Sequence, residues 1–413
     1  MNLPLPTVSP GAPPPRAGHS PSADALGIYV HFPWCLSKCP YCDFVAFAAP
    51  RSSIDGAAYT DAVLAELSAR GRGLGGRRVT SLFFGGGTPS LWGAHEVGRV
   101  IEAVARSFAP AAIEVSLECD PSSLDEDVAR ALVDAGINRL SIGVQALDDE
   151  RLRFLGRIHT EQEAIDAVHA AVRAGVPRVS TDLMYAVAGQ TPVSAARDAT
   201  ALADLGATHV SAYSLTIESA TPFGQLARRG RLPLCDDAVM AESFFAIDEA
   251  LADAGFAHYE VSNYAKPDNE AQHNLGYWQG RDYLGLGCGA YGTLRGASGA
   301  LRYRNQATPR AYLAASSERG AIGDDLVRCV TASEEPLDGP ALLRERIMLG
   351  LRMKQGFDLE AAAVEVGADP YPADRRAALA GLEARGRIVR HAGRITVPRE
   401  AWIWVDDTAA TLF

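Results

Sequence analysis

The stretch Tyr29-Val-His31-Phe-Pro33-Trp34-Cys35-Leu-Ser-Lys38-Cys39-Pro-Tyr41-Cys42-Asp-Phe44 sets three thiols in the spacing C-x-x-x-C-x-x-C, directly after a short apolar run. Three thiolates in one tight loop can bind three irons of a cubane cluster and leave the fourth iron without a protein ligand. Electron-carrier clusters take cysteine at all positions, and structural zinc sites close a tetrahedron with Cys and His. A three-thiolate set therefore implies an exogenous ligand on the last metal. The competing readings are apolar cysteines buried beside a strand, or half of a zinc site.

Working outward, the chain of 413 residues exceeds one ordinary core, so a large domain with a smaller one is expected. Its 47% hydrophobic content suits a globular protein. No apolar run reaches the roughly 18 residues that a membrane span needs. The net charge of −11 argues against broad affinity for nucleic acid or anionic membranes and favours small-molecule chemistry. The seven cysteines are odd in number, and three of them crowd into eight residues, which is no disulfide framework. Seven prolines in the first 24 residues, with no basic region leading into an apolar core, read as a disordered tail over 1–25 and not as a signal peptide. A reducing cytoplasm is the expected compartment.

From Gly27 onward apolar strands alternate with amphipathic helices. Strands are expected at Ile28–Phe32, Val79–Phe84, Ile113–Leu117, Arg139–Val144, Val179–Met184 and Val210–Leu215. Helices are expected at Ala57–Arg70, Ala94–Ser107, Glu126–Ala135, Thr160–Ala174 and Thr191–Leu205. Six βα units with buried strands require parallel pairing, in either an open doubly wound sheet or a barrel-like array, and periodicity does not choose between them.

The candidate site residues sit at the strand ends: the cysteine loop after the first strand, Gly85-Gly86-Gly87-Thr88 after the second, Glu118-Cys-Asp-Pro at the end of the third, Gln145 at the end of the fourth. Asp182 lies on the fifth. A glycine triplet admits a ligand close to the backbone, or is only a tight turn. Glu118 and Asp182 are either solvated caps or a convergent acidic pair suited to ribose hydroxyls and a cationic group. Arg157, in Leu-Gly-Arg-Ile-His159, is either a surface ion pair or a bidentate partner for a carboxylate.

Taken together, Tyr29-x-His-x-Pro, Cys-Pro-Tyr41-Cys and the strand-end motifs resemble the radical S-adenosylmethionine superfamily. Within it they resemble the branch of oxygen-independent coproporphyrinogen oxidases and haem chaperones, over roughly residues 26 to 405. The resemblance implies a partial six-unit (β/α) barrel over 26–295 with its site at the strands' C-terminal ends. It also implies a [4Fe–4S] cluster on Cys35, Cys39 and Cys42, with S-adenosylmethionine chelating the open iron. Tyr29, Tyr41, Gly86, Gly87, Thr88, Glu118, Gln145, Arg157 and Asp182 match family positions that contact this cofactor or a second copy of it. One departure follows Asp182, where the family's Gly-x-Pro-Gly-Gln loop reads Ala186-Val-Ala188-Gly-Gln190. Alanine suits a positive φ poorly, so the loop is expected to differ in course.

His273-Asn-Leu-Gly-Tyr277-Trp278 resembles the motif assigned to haem handling in the family. Read by itself, the histidine is either an axial ligand beside stacking aromatics or a core residue. Tyr291 stands where the family often has histidine. The polar run 296–339 reads as a linker. Helices near Leu342–Met353, Leu359–Val366 and Arg375–Arg385, then short strands, make a winged-helix-like domain over 340–413, as in the family. Its six arginines from Arg375 to Arg394 read as a solvated helix face and not as a nucleic-acid surface. The oxidases carry a further cysteine two positions past the third ligand, where this chain has Phe44. The expectation is therefore a haem chaperone without porphyrinogen-oxidising residues, with haem and haem-accepting apoproteins as partners and room for contact at a membrane surface. The alternative is an oxygen-independent coproporphyrinogen oxidase.

Overall fold

The computed structural model describes residues 24–108, 113–296, 299–317 and 322–413, so the expected tail lies outside them but for its last two residues. All six expected strands form: β1 (Ala25–Phe32), β2 (Arg78–Gly86), β3 (Glu114–Cys119), β4 (Arg139–Gln145), β5 (Arg178–Tyr185) and β6 (His209–Ser214). They pair in parallel in chain order, with Tyr29 opposite Phe83, Glu118 opposite Ser141 and Asp182 opposite Ser211. Strands covered on both faces read as near-continuous apolar runs, and Leu26, Ile28, Val30 and Phe32 are fully buried. The helix Ala94–Ser107 turns Val97, Val100 and Val104 onto the sheet, and Thr160 and Glu163 close a capping box on the helix Glu161–Arg173.

The sheet runs beyond the six units. A hairpin, β7 (Ala257–Glu260) and β8 (Asn263–Ala265), joins antiparallel to β6. On the other side β9 (Asp282–Leu286) lies parallel to β1, followed by antiparallel β10 (Tyr291–Gly296), β11 (Gly299–Asn305) and β12 (Thr331–Leu337). The strand order is linear, so the barrel is partial.

One parallel strand lies beyond the six expected units, and one expectation is corrected. The seventh parallel strand, β9, has no β-branched residue to mark it. The segment 296–339 is not a linker: it carries β11, the helices Pro309–Ser316 and Asp324–Val330, and β12. Its polarity belongs to a sheet edge, where exposed Glu334, Glu335 and Pro336 discourage further pairing. Its buried anchor is Glu66 of the helix Gly56–Arg70, which accepts hydrogen bonds from Arg70 Nε (2.7 Å), Asn305 Nδ2 (2.7 Å), Tyr312 OH (2.7 Å) and the Gly287 N–H (2.9 Å).

Between β8 and β9 the chain passes under the N-terminal ends of the strands. Lys266 N–H donates to Thr208 just before β6 (3.0 Å), and Arg139 at the start of β4 donates to the carbonyls of Asn269 (2.7 Å) and Glu270 (3.2 Å). His273 N–H reaches Glu114 at the start of β3 (3.3 Å), and its ring is hydrogen-bonded to Ser81 of β2 (2.9 Å). Residues 266–281 are thus a strap across the barrel floor, pinned by the buried Arg139–Glu114 ion pair (3.0 Å).

The C-terminal unit has helices Gly339–Gly350, Leu359–Val366 and Ala373–Ala384 with a small sheet of Phe357–Asp358, Arg394–Thr396 and Val389–His391, the winged-helix-like arrangement. Arg375 is buried on the Leu412 carbonyl, Arg390 pairs with Glu383, and Arg394 donates to Gln355 and Gly356.

Removing one partner of a buried ion pair strands the other charge, at a cost of about 3–5 kcal/mol. Arg139→Met should therefore lose stability of that order in urea unfolding, and Arg139→Met combined with Glu114→Leu should lose less. A double variant as damaged as the single would show that stranded charge is not what the floor depends on.

Candidate cofactor site at the C-terminal ends of the strands

The cysteine loop is clamped at its base and its back. A two-residue parallel ladder pairs Trp34–Cys35 with Phe47–Ala48. His31, on the lumen face of β1, donates from Nε2 to the Val45 carbonyl (2.7 Å), which leaves Nδ1 to accept from Tyr29 OH (2.9 Å). Burial lowers the His31 pKa to about 4, so the ring is neutral with this tautomer fixed. The motif Tyr29-x-His31 carried that arrangement, because residues two apart on a strand share a face.

The glycine motif closes the other side. Gly87 N–H donates to Phe32 (2.7 Å) and Thr88 N–H to Trp34 (2.8 Å), carrying β2 alongside the loop. Gly86 has φ +114°, and a Cβ there would lie 2.5 Å from the His31 ring; one on Gly87 would lie 2.5 Å from the Trp34 carbonyl oxygen. The glycines are therefore explained first by this close approach of chain to chain. Thr88 hydrogen-bonds Cys35, while burial pushes the Cys35 thiol up to about 11. All three thiols are partly exposed, and among the described residues no trio of Cys, His, Asp or Glu forms a ready-made cage. Neutral thiols do not draw together; metal binding deprotonates them.

Glu118 and Asp182 converge in the lumen. Glu118 accepts from Gly86 N–H (3.0 Å), and Asp182 accepts from Ser141 (3.2 Å). Burial, then the charge of Asp182, pushes Glu118 up to about 7; burial pushes Asp182 up to about 6, against hydrogen bonds from Ser211 and Ser141. Two enclosed carboxyls with this bias suit a cationic, hydroxyl-bearing ligand. Gln145, held at φ +65°, accepts from Tyr213 OH (2.8 Å) beside them.

Arg157 is not a surface ion pair. Largely buried, it donates to Asp120 (2.7 Å), the Gly143 carbonyl (3.1 Å) and the Cys39 sulfur (3.5 Å), with Tyr41 alongside. Burial alone would raise the Asp120 pKa, but His159 and Arg157 hold it well below the usual carboxylate range. Asp120 was visible only as part of its motif. Arg157 Nε is buried without a hydrogen-bond partner among the described residues. The donor set of thiols, paired acids and arginine fits a cluster with an aminoacyl sulfonium nucleoside. In the loop after Asp182, Ala186 nevertheless sits at φ +59°, so the chain makes there the left-handed turn that glycine takes freely and that strains a residue with a Cβ.

His273 does not join this group. It lies on the floor strap, 3% exposed, its ring stacked on Phe83 (4.9 Å) and edge-on to Tyr277 (4.8 Å). Burial lowers its pKa to about 3. The cavity beside it, bounded by Gly27, Ser81, Tyr277 and Tyr283, has room for about one water molecule. Of the two readings of this histidine, the enclosed and stacked imidazole fits the core residue in this conformation.

Comparison with known proteins agrees with this geometry. Residues 29–202 match the Radical SAM superfamily and residues 337–404 the HemN C-terminal domain. The "Heme chaperone HemW" of Mycobacterium tuberculosis is 34% identical over 390 residues, 94% of this chain and 94% of the relative. That of Escherichia coli is 38% identical over 290 residues, 70% and 75% of the two chains. The solved coproporphyrinogen III oxidase HemN of Escherichia coli shares the fold, with TM-score 0.77 and 22% identity over 94% of this chain and 90% of that one.

The ionised form of Glu118 is what burial disfavours, so its cost is full above pH 7 and vanishes below the ordinary carboxylate value of about 4.5. In the cofactor-free protein Glu118→Gln should be more stable than the parent by about 3 kcal/mol at pH 8, and the gap should close toward pH 4.5. Denaturation midpoints at pH 5 and pH 8 test this; an equal gap at both would dismiss the raised carboxyl.

Proposed function

The chain belongs to the heme chaperone HemW family of radical SAM proteins, and on that premise we propose that it binds haem and delivers it to acceptor apoproteins without oxidising coproporphyrinogen. The match from end to end with the chaperones carries this reading. Phe44, 64% exposed at the tip of the cysteine loop where the oxidases have a further cysteine, supports it.

In this reading Cys35, Cys39 and Cys42 hold three irons of a [4Fe–4S] cluster, and His31 keeps their loop in place through Val45. Glu118 and Asp182 receive the cationic and hydroxyl groups of S-adenosylmethionine, Arg157 its carboxylate, and Gln145 lines the same pocket. When bound, the cluster supplies one electron to the sulfonium. Tyr41 lies against Cys39, and Thr88 hydrogen-bonds Cys35. The seven cysteines are all unpaired, in keeping with a reducing compartment. No helix among the described residues is long and apolar enough to cross a membrane.

Replacing Cys35, Cys39 and Cys42 by alanine should abolish the iron content and broad visible absorption of anaerobically reconstituted protein while its far-ultraviolet dichroism persists. In the parent, titration should show stoichiometric haem binding, and an assay with reductant and S-adenosylmethionine should yield no protoporphyrinogen beyond the amount of protein. Catalytic formation of protoporphyrinogen would overturn the chaperone reading in favour of the oxidase.

A further inference from the structure

We propose that the floor cavity beside His273 is a carboxylate site, in which Arg281 and the edge of the His273 ring take one propionate of haem while the macrocycle stays outside. The inference rests on the chaperone reading and deepens it, since it names the part of haem that the strap recognises.

The cavity is built by the strap and two strands. The helix Gln272–Trp278 places His273, Gly276 and Tyr277 along one wall, and Gly27 of β1 with Ser81 of β2 forms the other. Gly280, at φ +61°, turns the chain at the end of that helix. Arg281 N–H then returns to the Gly276 carbonyl (2.9 Å), which lays the Arg281 side chain beside Gly276 and into the lining. Tyr283 closes the cavity and meets Tyr277 edge-on at 4.6 Å, so this wall is aromatic. The space holds about one water molecule, enough for a carboxylate oxygen and too small for a ring.

The chemistry follows from two donors that lack an acceptor. His273 Nδ1 is hydrogen-bonded to Ser81 (2.9 Å), and its Nε2 is buried without a partner on a residue only 3% exposed. With the Ser81 hydroxyl donating to Nδ1, Nε2 carries the proton and is short of an acceptor. Arg281 Nε is buried without a partner as well, and the charge that acts on its guanidinium is another cation, Arg78. Asp282, which also lines the cavity, is taken up by Arg77 (3.1 Å) and Arg295 (2.8 Å). A water molecule would accept from both donors and leave the cation uncompensated. A carboxylate oxygen accepts from both and brings the opposite charge. Haem carries its carboxylates on short flexible arms, so one can enter where the macrocycle cannot.

Ferric haem and its dimethyl ester, in which both propionates are blocked, are to be titrated into the full-length protein and into Arg281→Gln. The parent should bind haem about tenfold or more tightly than the ester, and Arg281→Gln should lose that preference by binding haem more weakly and the ester as before. Haem-free Arg281→Gln should unfold in urea no earlier than the parent, because the guanidinium has no partner to lose; earlier unfolding would make it a structural residue instead. An ester bound as tightly as haem, or a preference that Arg281→Gln leaves intact, refutes the site while the chaperone reading stands. If the parent takes up neither compound, both fall.

Discussion

A single buried guanidinium governs the architecture. Arg139 is 1% exposed and spends its donors on Glu114, Ser180 and two carbonyls of the strap. Stranding such a charge is costly, so its partners are tied together: β3, β4, β5 and the strap must meet at one point. The strap in turn brings β9 to the free edge of β1, and β9 carries the loop that backs the cysteines. The floor and the cofactor end are thereby one problem in packing.

At the opposite end the polar groups are arranged differently. The floor satisfies its ions internally, whereas Glu118 and Asp182 face each other with only neutral donors, and Arg157 keeps one nitrogen unused. A protein tuned for stability alone would not bury such a pair. Their raised proton affinity is what a cationic ligand between them would relieve. The strained Ala186 and Gln145 fall at the same strand ends, where such costs are commonly retained.

The motif beginning at His273 sits between the lumen and the helix Gly339–Gly350, whose Arg346 packs on Gly280. It therefore joins the barrel to the C-terminal unit.

The sequence by itself determined the βα alternation, the six strands to within two or three residues, the cysteine spacing and the strand-end positions of Glu118, Gln145 and Asp182. These are local: period-2 apolar runs, 3.6-period helices and glycine next to a strand act within a few residues. It also marked Ala186, because a Cβ at positive φ is a local conflict. Only the tertiary structure decided that Arg157 is buried on Asp120, that His31 locks the loop through Val45, that 296–339 completes a sheet and that His273 is a floor residue. Each depends on contacts between segments far apart in the chain, as in the bond from Ser81 to His273, 192 residues away. A histidine on an amphipathic helix carries the same pattern whether its ring meets a ligand or the underside of a barrel. The choice between them is made by the path of the strap, set by the burial of Arg139, which no window of sequence contains.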